Sequence, residues 1–377
     1  MARILAFLKE GFSARQFSSL LLILDLLLSS EIKTLSCAQG KSVSAFSRFL
    51  GVYRWDLHII AEARRQEHWA QVATYMKECH IPRLTLRLIL DEVVVPKSGT
   101  AFDRLGVHYS STLDKTVPGH CFVVLYASIG PYRFPLDYRW YVNEEYCEEA
   151  GLEFKTKPQH GLELLQALEI PSHVKIRQIE LLADGGYAEK EIFDYAVAED
   201  WHMYTRLVSN SILEEIAFVG VAGKEYFKTL AQIKSGEIVT PAYLGHQVKV
   251  VRQRGKKGPK YLMTNNLEAS NSKIRKRAKL RWEIEVFFRR IKQHLGFGDY
   301  RVRKWQAIDK YILCVWLAYM VAVVEAPIPL DGDLMLLRDH QKILAWNMLR
   351  STMPEYLLAR LLLLRVCLNH LLLTLLL

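Results

Sequence analysis

Three acidic residues stand at positions of this sequence where a carboxylate is placed to do chemistry. Asp91 follows the apolar run LRLIL, Asp184 follows IELLA and precedes two glycines, and Glu285 lies within RWEIEVFFRRIKQHLG. Acids that follow the strands of an open α/β sheet line the edge at which the loops open to solvent. Asp91, Asp184 and Glu285 are therefore candidate catalytic residues, although a single Asp after a strand is more often a turn former or helix cap.

The chemistry that these carboxylates predict depends on a metal. Neighbouring carboxylates repel one another unless a cation neutralises them. Mg²⁺ suits such a site because it takes oxygen ligands and keeps several waters. A third carboxylate is needed to hold a second ion, so the sequence predicts two Mg²⁺ ions, replaceable by Mn²⁺, with Asp91, Asp184 and Glu285 as metal ligands.

The stretch around Glu285 predicts a helix that carries cations on the same side as the acid. Arg281, Glu285, Phe288 and Lys292 are spaced i, i+4, i+7 and i+11 and share one stripe, and Arg289 lies one turn beyond Glu285. The three cations are candidate contacts to DNA phosphates. The alternative is an ordinary surface helix with an Arg281–Glu285 pair, which contributes only about 0.2–0.5 kcal/mol.

Two further residues are candidate DNA contacts. Trp282 stands beside the stripe and could stack on an unpaired or flipped base, and the alternative is a tryptophan of the core. Lys97 follows the Asp91 strand in VVVPKSG and is the other candidate.

Three polar residues near these candidates have structural interpretations. Glu92 is expected to point to the opposite side of its strand from Asp91 and to form a salt bridge. Glu283 lies two positions before Glu285 and faces away from its stripe. His120 stands next to Cys121 with no partner ligands evident, so a structural role is expected.

The charge of the chain favours an anionic partner. Lys and Arg total 50 against 40 Asp and Glu, a net charge of +10. Between residues 273 and 304 we count twelve Lys or Arg against three acids. A positive excess of this kind is typical of proteins that bind nucleic acid, although a solvated surface also accommodates basic residues.

The elements that would position the acids follow one another in a recognisable order. After a helical N-terminal region the apolar patterns predict strand, strand, strand, helix, strand, helix and strand. The segments are LTLRLILDEVVVP, HCFVVLYASIG, RFPLDYRWYV, HGLELLQALEI, HVKIRQIELLA, AEKEIFDYAVAEDW and HMYTRLVS. This order predicts an α/β fold with an RNase H-like core, a mixed five-stranded sheet with helices. In such a sheet the first and fourth strands are neighbours, so Asp91 and Asp184 would face each other.

The remaining segments suggest how the chain divides. The predicted regions are residues 1–80 (helical, with DNA-end binding or a helical cap as alternatives), 81–210 (first part of the core), 211–272 (a β-rich insertion with the basic turn RGKKGPK), 273–330 (last core helix and basic DNA-binding segment) and 331–377 (helical C-terminal region).

The cysteines and apolar runs bear on location. Six scattered cysteines without a CxxC pair are typical of reduced thiols in a cytosolic protein and argue against structural zinc. A cytoplasmic, nucleoid-associated protein is therefore expected. The run YILCVWLAYMVAVV is shorter than the roughly 20 residues that span a bilayer. Membrane association of the leucine-rich residues 361–377 is kept as an alternative to a buried or partner-packed helix.

Taken together, these blocks resemble the DDE transposases of bacterial insertion sequences, in the branch similar to insertion sequence four. That family carries the motif Tyr-x2-Arg-x3-Glu-x6-Lys, which Arg281, Glu285 and Lys292 match, while Ala278 replaces the tyrosine. LILDEVVVPKSG resembles the block of the first Asp, and LLADGGYAEKEIF that of the second. The resemblance covers roughly residues 81–310.

The resemblance implies a transposase that cuts the ends of its element and joins them to target DNA by Mg²⁺-dependent hydrolysis and transesterification. Its partners would be terminal inverted repeats, target DNA and a second copy of the chain. The 101 positions between Asp184 and Glu285 leave room for the β-insertion of this family. A hairpin route of cleavage stays open.

Two other functions compete with transposition. One is an RNase H-like nuclease without strand transfer, and the other is a non-catalytic or decayed transposase-derived DNA-binding protein. Only the transposase would insert cut DNA ends into a target.

Overall fold

The computed structural model describes residues 11–29, 33–110, 113–207, 211–214, 227–230, 238–239, 242–255 and 258–324. The helices in this part of the chain are α1 (Ala14–Ser29), α2 (Val43–Gly51), α3 (Leu57–Glu78), α4 (Glu144–Ala150), α5 (Lys157–Gln166), α6 (Lys190–Ala198), α7 (Asn271–Leu280), α8 (Trp282–His294) and α9 (Trp305–Val324). Short 3-10 turns cover Leu35–Cys37 and Gly185–Tyr187.

The strands of the same residues fall into a long series before residue 210 and a short-stranded series after it. They are β1 (Leu84–Pro96), β2 (Gly106–Ser110), β3 (Lys115–Ile129), β4 (Tyr132–Tyr141), β5 (Ile176–Ala183), β6 (His202–Leu207), β7 (Ile212–Glu214), β8 (Phe227–Thr229), β9 (Ile238–Val239), β10 (Ala242–Tyr243), β11 (His246–Gln247), β12 (Lys249–Gly255) and β13 (Gly258–Thr264).

The described residues fall into two compact units, one within residues 1–64 and 290–377 and the other within residues 65–289. The division falls within α3 and α8. The domain boundaries predicted from the sequence stay predictions.

The unit of residues 65–289 is built on an open, mixed sheet. Its strands lie in the order β2-β3-β1-β5-β6-β13-β12-β9, and β4 pairs with β3. β1 runs antiparallel to β3 and parallel to β5, and β5 runs parallel to β6. The predicted α/β class is confirmed, and so is the pairing of the first strand with the one that precedes Asp184. The edge hairpin strand β2 was not predicted.

The two faces of this sheet differ in chemistry. Side chains alternate along a strand, so Leu86, Leu88 and Leu90 of β1 point to one face, where they join the main hydrophobic core with α5 and α6. Arg87, Ile89 and Asp91 belong to the other face. One strand thus supplies both a buried core and a line of functional groups.

Within the segment predicted as a β-rich insertion, the described strands divide between two sheets. β12 and β13 extend the main sheet beside β6, whereas β7, β8, β10 and β11 form a second, four-stranded sheet. Within residues 226–236 (YFKTLAQIKSG) of that segment, the structure describes Phe227–Thr229 as β8. Residues 256–257 of the basic turn, and the predicted C-terminal region 331–377, lie outside the described residues.

The other unit packs helix against helix. α9 contacts α1 and α2, and its side chains from Tyr311 to Ala322 are buried. Lys310 Nζ donates to the Tyr53 carbonyl at 2.7 Å, and the Arg64 guanidinium lies 4.8 Å from the ring centre of Trp316. Among the described residues, no helix combines the length and apolar character needed to cross a bilayer. The leucine-rich residues 361–377 lie outside that search.

Candidate active site

The parallel pairing of β1 with β5 brings the first two candidate acids side by side. The ladder ends at the pair Leu90 and Ala183, and Asp91 and Asp184 are the next residues of each chain segment. β1 continues beyond Asp91 in its pairing with β3, which restricts the exposed fraction of the Asp91 side chain to 14%. Asp184 begins the turn of Gly185–Tyr187 and is 39% exposed. The two acids therefore lie side by side where the pairing of β1 with β5 ends, and Asp184 is more exposed to solvent than Asp91.

The third acid, Glu285, lies on α8, which follows α7 after the single residue Arg281. Ser270 caps α7 by accepting the Lys273 N–H at 3.2 Å. α7 and α8 meet at Arg281, whose φ and ψ of −52° and −31° are helical, so the chain continues in nearly the same direction. Glu285 lies one turn into α8 and is 29% exposed.

Arg281 joins two of the three acids. Its Nη1 donates to Asp91 Oδ2 at 2.6 Å, and its Nη2 donates to Glu285 Oε1 at 2.7 Å. Asp91 and Glu285, 194 positions apart in the sequence, are therefore bridged by a single guanidinium. Burial by itself would lower the pKa of Arg281, but Asp91, Asp184 and Glu285 together raise it above its ordinary value.

Asp184 has an arginine of its own, which the sequence reading missed. Arg206 Nη2 lies 3.5 Å from Asp184 Oδ1, and the Arg206 side chain is 47% exposed. The two residues become neighbours because β5 and β6 run parallel, with Leu182 opposite Tyr204. The sequence did contain a signal for this contact, because Arg206 is a basic residue near the end of β6, the strand that follows β5.

Burial controls the protonation of the site. Removal of the Asp91 carboxyl from water raises its pKa to about 7, against the opposing effect of Arg281. Burial likewise raises the pKa of Glu285, and the nearby Asp184 adds to this increase. Each of these acids would be ionised more readily with an additional cation beside it.

The donor chemistry fits a hard divalent cation. Asp91, Asp184 and Glu285 offer carboxylate oxygens, the ligands that Mg²⁺ prefers. All three carboxylates raise the pKa of the same cationic group, the Arg281 guanidinium. As the side chains stand, no three His, Cys, Asp or Glu of the described residues are grouped closely enough to hold a metal ion. Arg281 lies between two of the three acids.

A row of polar and charged side chains, among them the buried acids Glu180 and Glu283, docks α7 and α8 on this face of the sheet. Register places Glu180, Arg87, Ser128 and Arg133 next to one another on β5, β1, β3 and β4. Arg277 of α7 lies 2.6 Å from Glu180, which is also 3.3 Å from Arg87.

From α8, Glu283 reaches the same row and lies 2.8 Å from Arg133. Glu180 and Glu283 are 2% and 4% exposed. Phe287 adds an apolar contact, with its ring centre 5.0 Å from that of Tyr126. Arg277 is four residues before Arg281, and Glu283 is two residues after it. These two ion pairs therefore hold the backbone on both sides of Arg281 against the sheet.

The predicted DNA contacts differ in exposure. Trp282 is 53% exposed, and the Arg289 guanidinium lies 5.8 Å from its ring centre. Lys292 is half-buried in the last turn of α8. Lys97 is 9% exposed, with Nζ 5.4 Å from the ring centre of Phe102. Trp282 and Arg289 thus form the exposed aromatic and cationic pair of this segment, whereas Lys97 is covered.

Two acids next to the candidates have the structural roles that the sequence predicted. Glu92 accepts from Lys157 Nζ at 2.8 Å and from the Tyr187 hydroxyl at 2.9 Å on the opposite face from Asp91. Glu283 pairs with Arg133 rather than facing Glu285. Both interpretations are confirmed.

His120 is fully buried, as a structural residue is expected to be. Its Nε2 lies 3.0 Å from the Asp103 carbonyl oxygen, and burial lowers its pKa to about 4. The folded protein therefore keeps His120 neutral at pH values where the unfolded chain takes up a proton. Because of this difference, His120 makes the free energy of unfolding decrease as the pH falls from about 6.5 towards about 4.

We expect His120→Gln, which keeps a side-chain N–H, to reduce the slope of unfolding free energy against pH between 4 and 6.5 by up to about 1.4 kcal/mol per pH unit. Urea unfolding at a series of pH values measures the slope. An unchanged slope would show that His120 is solvated.

Two family models match the chain. A model described as DDE superfamily endonuclease matches residues 8–217, just over half of the 377 residues, and includes Asp91 and Asp184. A model described as Transposase DDE domain matches residues 158–321 and includes Asp184 and Glu285. No curated protein matches the sequence. The two matches overlap at Asp184 and between them take in all three candidate acids.

Proposed function

This chain belongs to the DDE superfamily of endonucleases, and we propose from this premise that it is a cut-and-paste transposase. It would cleave DNA at the ends of an insertion sequence and join those ends to a target. The match to a transposase DDE domain supports DNA as the substrate. The branch similar to insertion sequence four, with a homodimer that pairs two DNA ends at the nucleoid, is part of the proposal.

One observation carries the assignment of the site. Arg281 donates to Asp91 and Glu285 at 2.6 and 2.7 Å, and Asp184 acts on the same guanidinium. Acids from β1, from the turn after β5 and from α8 therefore act on one guanidinium. Burial raises the pKa of Asp91 and of Glu285 in this cluster, and acids with perturbed pKa values cluster at functional sites.

In this proposal Asp91, Asp184 and Glu285 hold two Mg²⁺ ions, or Mn²⁺ in their place. The bound ions supply activation of the attacking oxygen and neutralisation of the leaving oxygen. The chain's own work is to orient the three carboxylates through strand pairing and the docking of α7 and α8. Arg281 also holds a phosphate of the DNA in line with them.

The DNA would lie along α8. Arg289 and Lys292 provide charge for phosphates, and the exposed ring of Trp282 provides a surface for an unpaired base. Lys97 is included in the proposed contacts, and its use would require the side chain to leave the ring of Phe102. The strand order β4-β3-β1-β5-β6 supports an RNase H-like core, with the short strands after residue 210 as its insertion.

The test of this function is strand joining. The purified protein is incubated with Mg²⁺, supercoiled plasmid and precut linear DNA that carries the inverted repeats found beside its gene. We expect insertion of the linear DNA, and no product in EDTA. Cleavage without insertion would identify a nuclease, and binding in EDTA without cleavage at any metal concentration would identify a non-catalytic DNA-binding protein.

We expect Trp282→Ala to weaken the binding of DNA with frayed ends roughly 5- to 150-fold, since stacking contributes about 1–3 kcal/mol per base. Fluorescence anisotropy in EDTA measures affinity apart from cleavage. Tyr109→Ala is the matched control because Tyr109 is also an exposed aromatic, at 58%, but lies on β2. Equal affinities of wild type and Trp282→Ala would exclude base stacking by Trp282.

A further inference from the structure

Each proposed metal ligand contacts an arginine. Arg281 bridges Asp91 and Glu285, and Arg206 lies 3.5 Å from Asp184. Three carboxylates thus face two guanidiniums within the unit of residues 65–289. Arg281 is four residues from Glu285 but 190 from Asp91, and Arg206 comes from the strand after the Asp184 strand, so tertiary structure brings Arg281 to Asp91 and Arg206 to Asp184.

The arginine contacts use the oxygens that a metal would need. Asp91 Oδ2 accepts from Arg281 at 2.6 Å, and Asp91 Oδ1 accepts the Glu92 N–H at 2.9 Å. Mg²⁺ binds oxygen at about 2.0–2.1 Å in near-octahedral geometry. With the guanidinium between Asp91 and Glu285, no three acids of the described residues are grouped closely enough to hold an ion.

We propose that Arg281 and Arg206 are internal counter-ions that occupy the acidic site before loading, compete with divalent cations for its carboxylates, and are released to anionic DNA when metal binds. The inference rests on the proposed function, because that function identifies the acids as metal ligands. It adds Arg206 to the site and gives Arg281 a second role.

Reciprocal coupling follows from this exchange. A metal ion releases both guanidiniums, and a released guanidinium gains a phosphate partner, so each of metal and DNA should raise the affinity for the other. Before loading, the arginines offset the mutual repulsion of the acids and keep the three side chains together.

The test measures metal affinity without DNA and without turnover. Mn²⁺ is titrated by calorimetry into wild type, Arg281→Met, Arg206→Met and the control Arg275→Met. Arg275 is exposed on α7, so its substitution removes the same charge from the same unit without an acid of the site as its partner. We expect about 10-fold tighter Mn²⁺ binding in Arg281→Met, a smaller gain in Arg206→Met, and little change in Arg275→Met.

Two further variants distinguish a failure of the counter-ion role from a failure of the proposed metal site. Arg281→Lys keeps the charge but cannot bridge two acids with a planar fork, so we expect an intermediate affinity even if Arg281→Met does not fold. Asp91→Asn should bind Mn²⁺ more weakly than wild type. Binding that Asp91→Asn leaves unchanged would overturn the proposed metal site itself.

A second outcome would overturn the counter-ion role alone. In that outcome Asp91→Asn weakens Mn²⁺ binding, but Arg281→Met and Arg206→Met bind Mn²⁺ no more tightly than wild type. As a second readout, added Mn²⁺ should raise the melting temperature of Arg281→Met more than that of wild type at the same concentration, because tighter binding to the folded state stabilises it more. An equal rise in the two proteins would contradict the proposal.

Discussion

Glu285→Gln is expected to lower the rate of DNA strand cleavage by roughly 10³-fold or more, which corresponds to about 4 kcal/mol of transition-state stabilisation. The amide keeps the size of the side chain and can still accept from Arg281, but it loses the charge that binds a divalent cation. Asp91→Asn and Asp184→Asn are expected to have losses of the same order, because each removes one of three ligands.

Single-turnover cleavage of inverted-repeat DNA at saturating Mg²⁺ measures this effect. Glu92→Gln is the matched control: Glu92 is adjacent to Asp91, but it pairs with Lys157 and Tyr187 on the other face of the sheet. Cleavage should stay within a few-fold of wild type in this control. Near-wild-type cleavage by any of the three acid variants would remove that residue from the proposed site.

Glu180→Gln is expected to lower the free energy of unfolding by about 3–5 kcal/mol, the usual effect of removing one partner from a buried ion pair. Glu180 is 2% exposed and lies between Arg87 and Arg277, at 3.3 and 2.6 Å. Without its carboxylate, two guanidiniums remain close together beneath α7 with no acid between them.

Guanidinium chloride unfolding measures the loss, and Glu153→Gln is the control because its pair with Lys155 is 79% exposed on the acid side. We expect no measurable change in that control. A loss below about 1 kcal/mol for Glu180→Gln would show that the row behaves like a surface pair.

A double-mutant cycle with Arg277→Met would give the coupling between Glu180 and α7 directly. Since Arg277 lies four residues before Arg281, weaker docking should also lower the cleavage rate at saturating DNA while DNA affinity changes little.

The candidate acids could be predicted from sequence because their signals are local. An Asp that directly follows an apolar run, and cations at helical spacing around Glu285, are visible in windows of about ten residues. The parallel neighbourhood of β1 and β5 followed from the order of elements, since few sheet topologies connect such an order. The 53% exposure of Trp282 excludes the alternative of a core tryptophan, and its contact to DNA stays a prediction.

The sequence by itself thus determined the α/β class, the candidate carboxylates that follow apolar runs and the helix that carries Glu285. Only tertiary structure decided that Arg281 lies between Asp91 and Glu285, that Arg206 adjoins Asp184, and that a charged row crosses four strands beneath α7 and α8. The physical reason is register. A one-residue shift between neighbouring strands would exchange the faces of their side chains, and that pairing depends on packing among segments far apart in the chain.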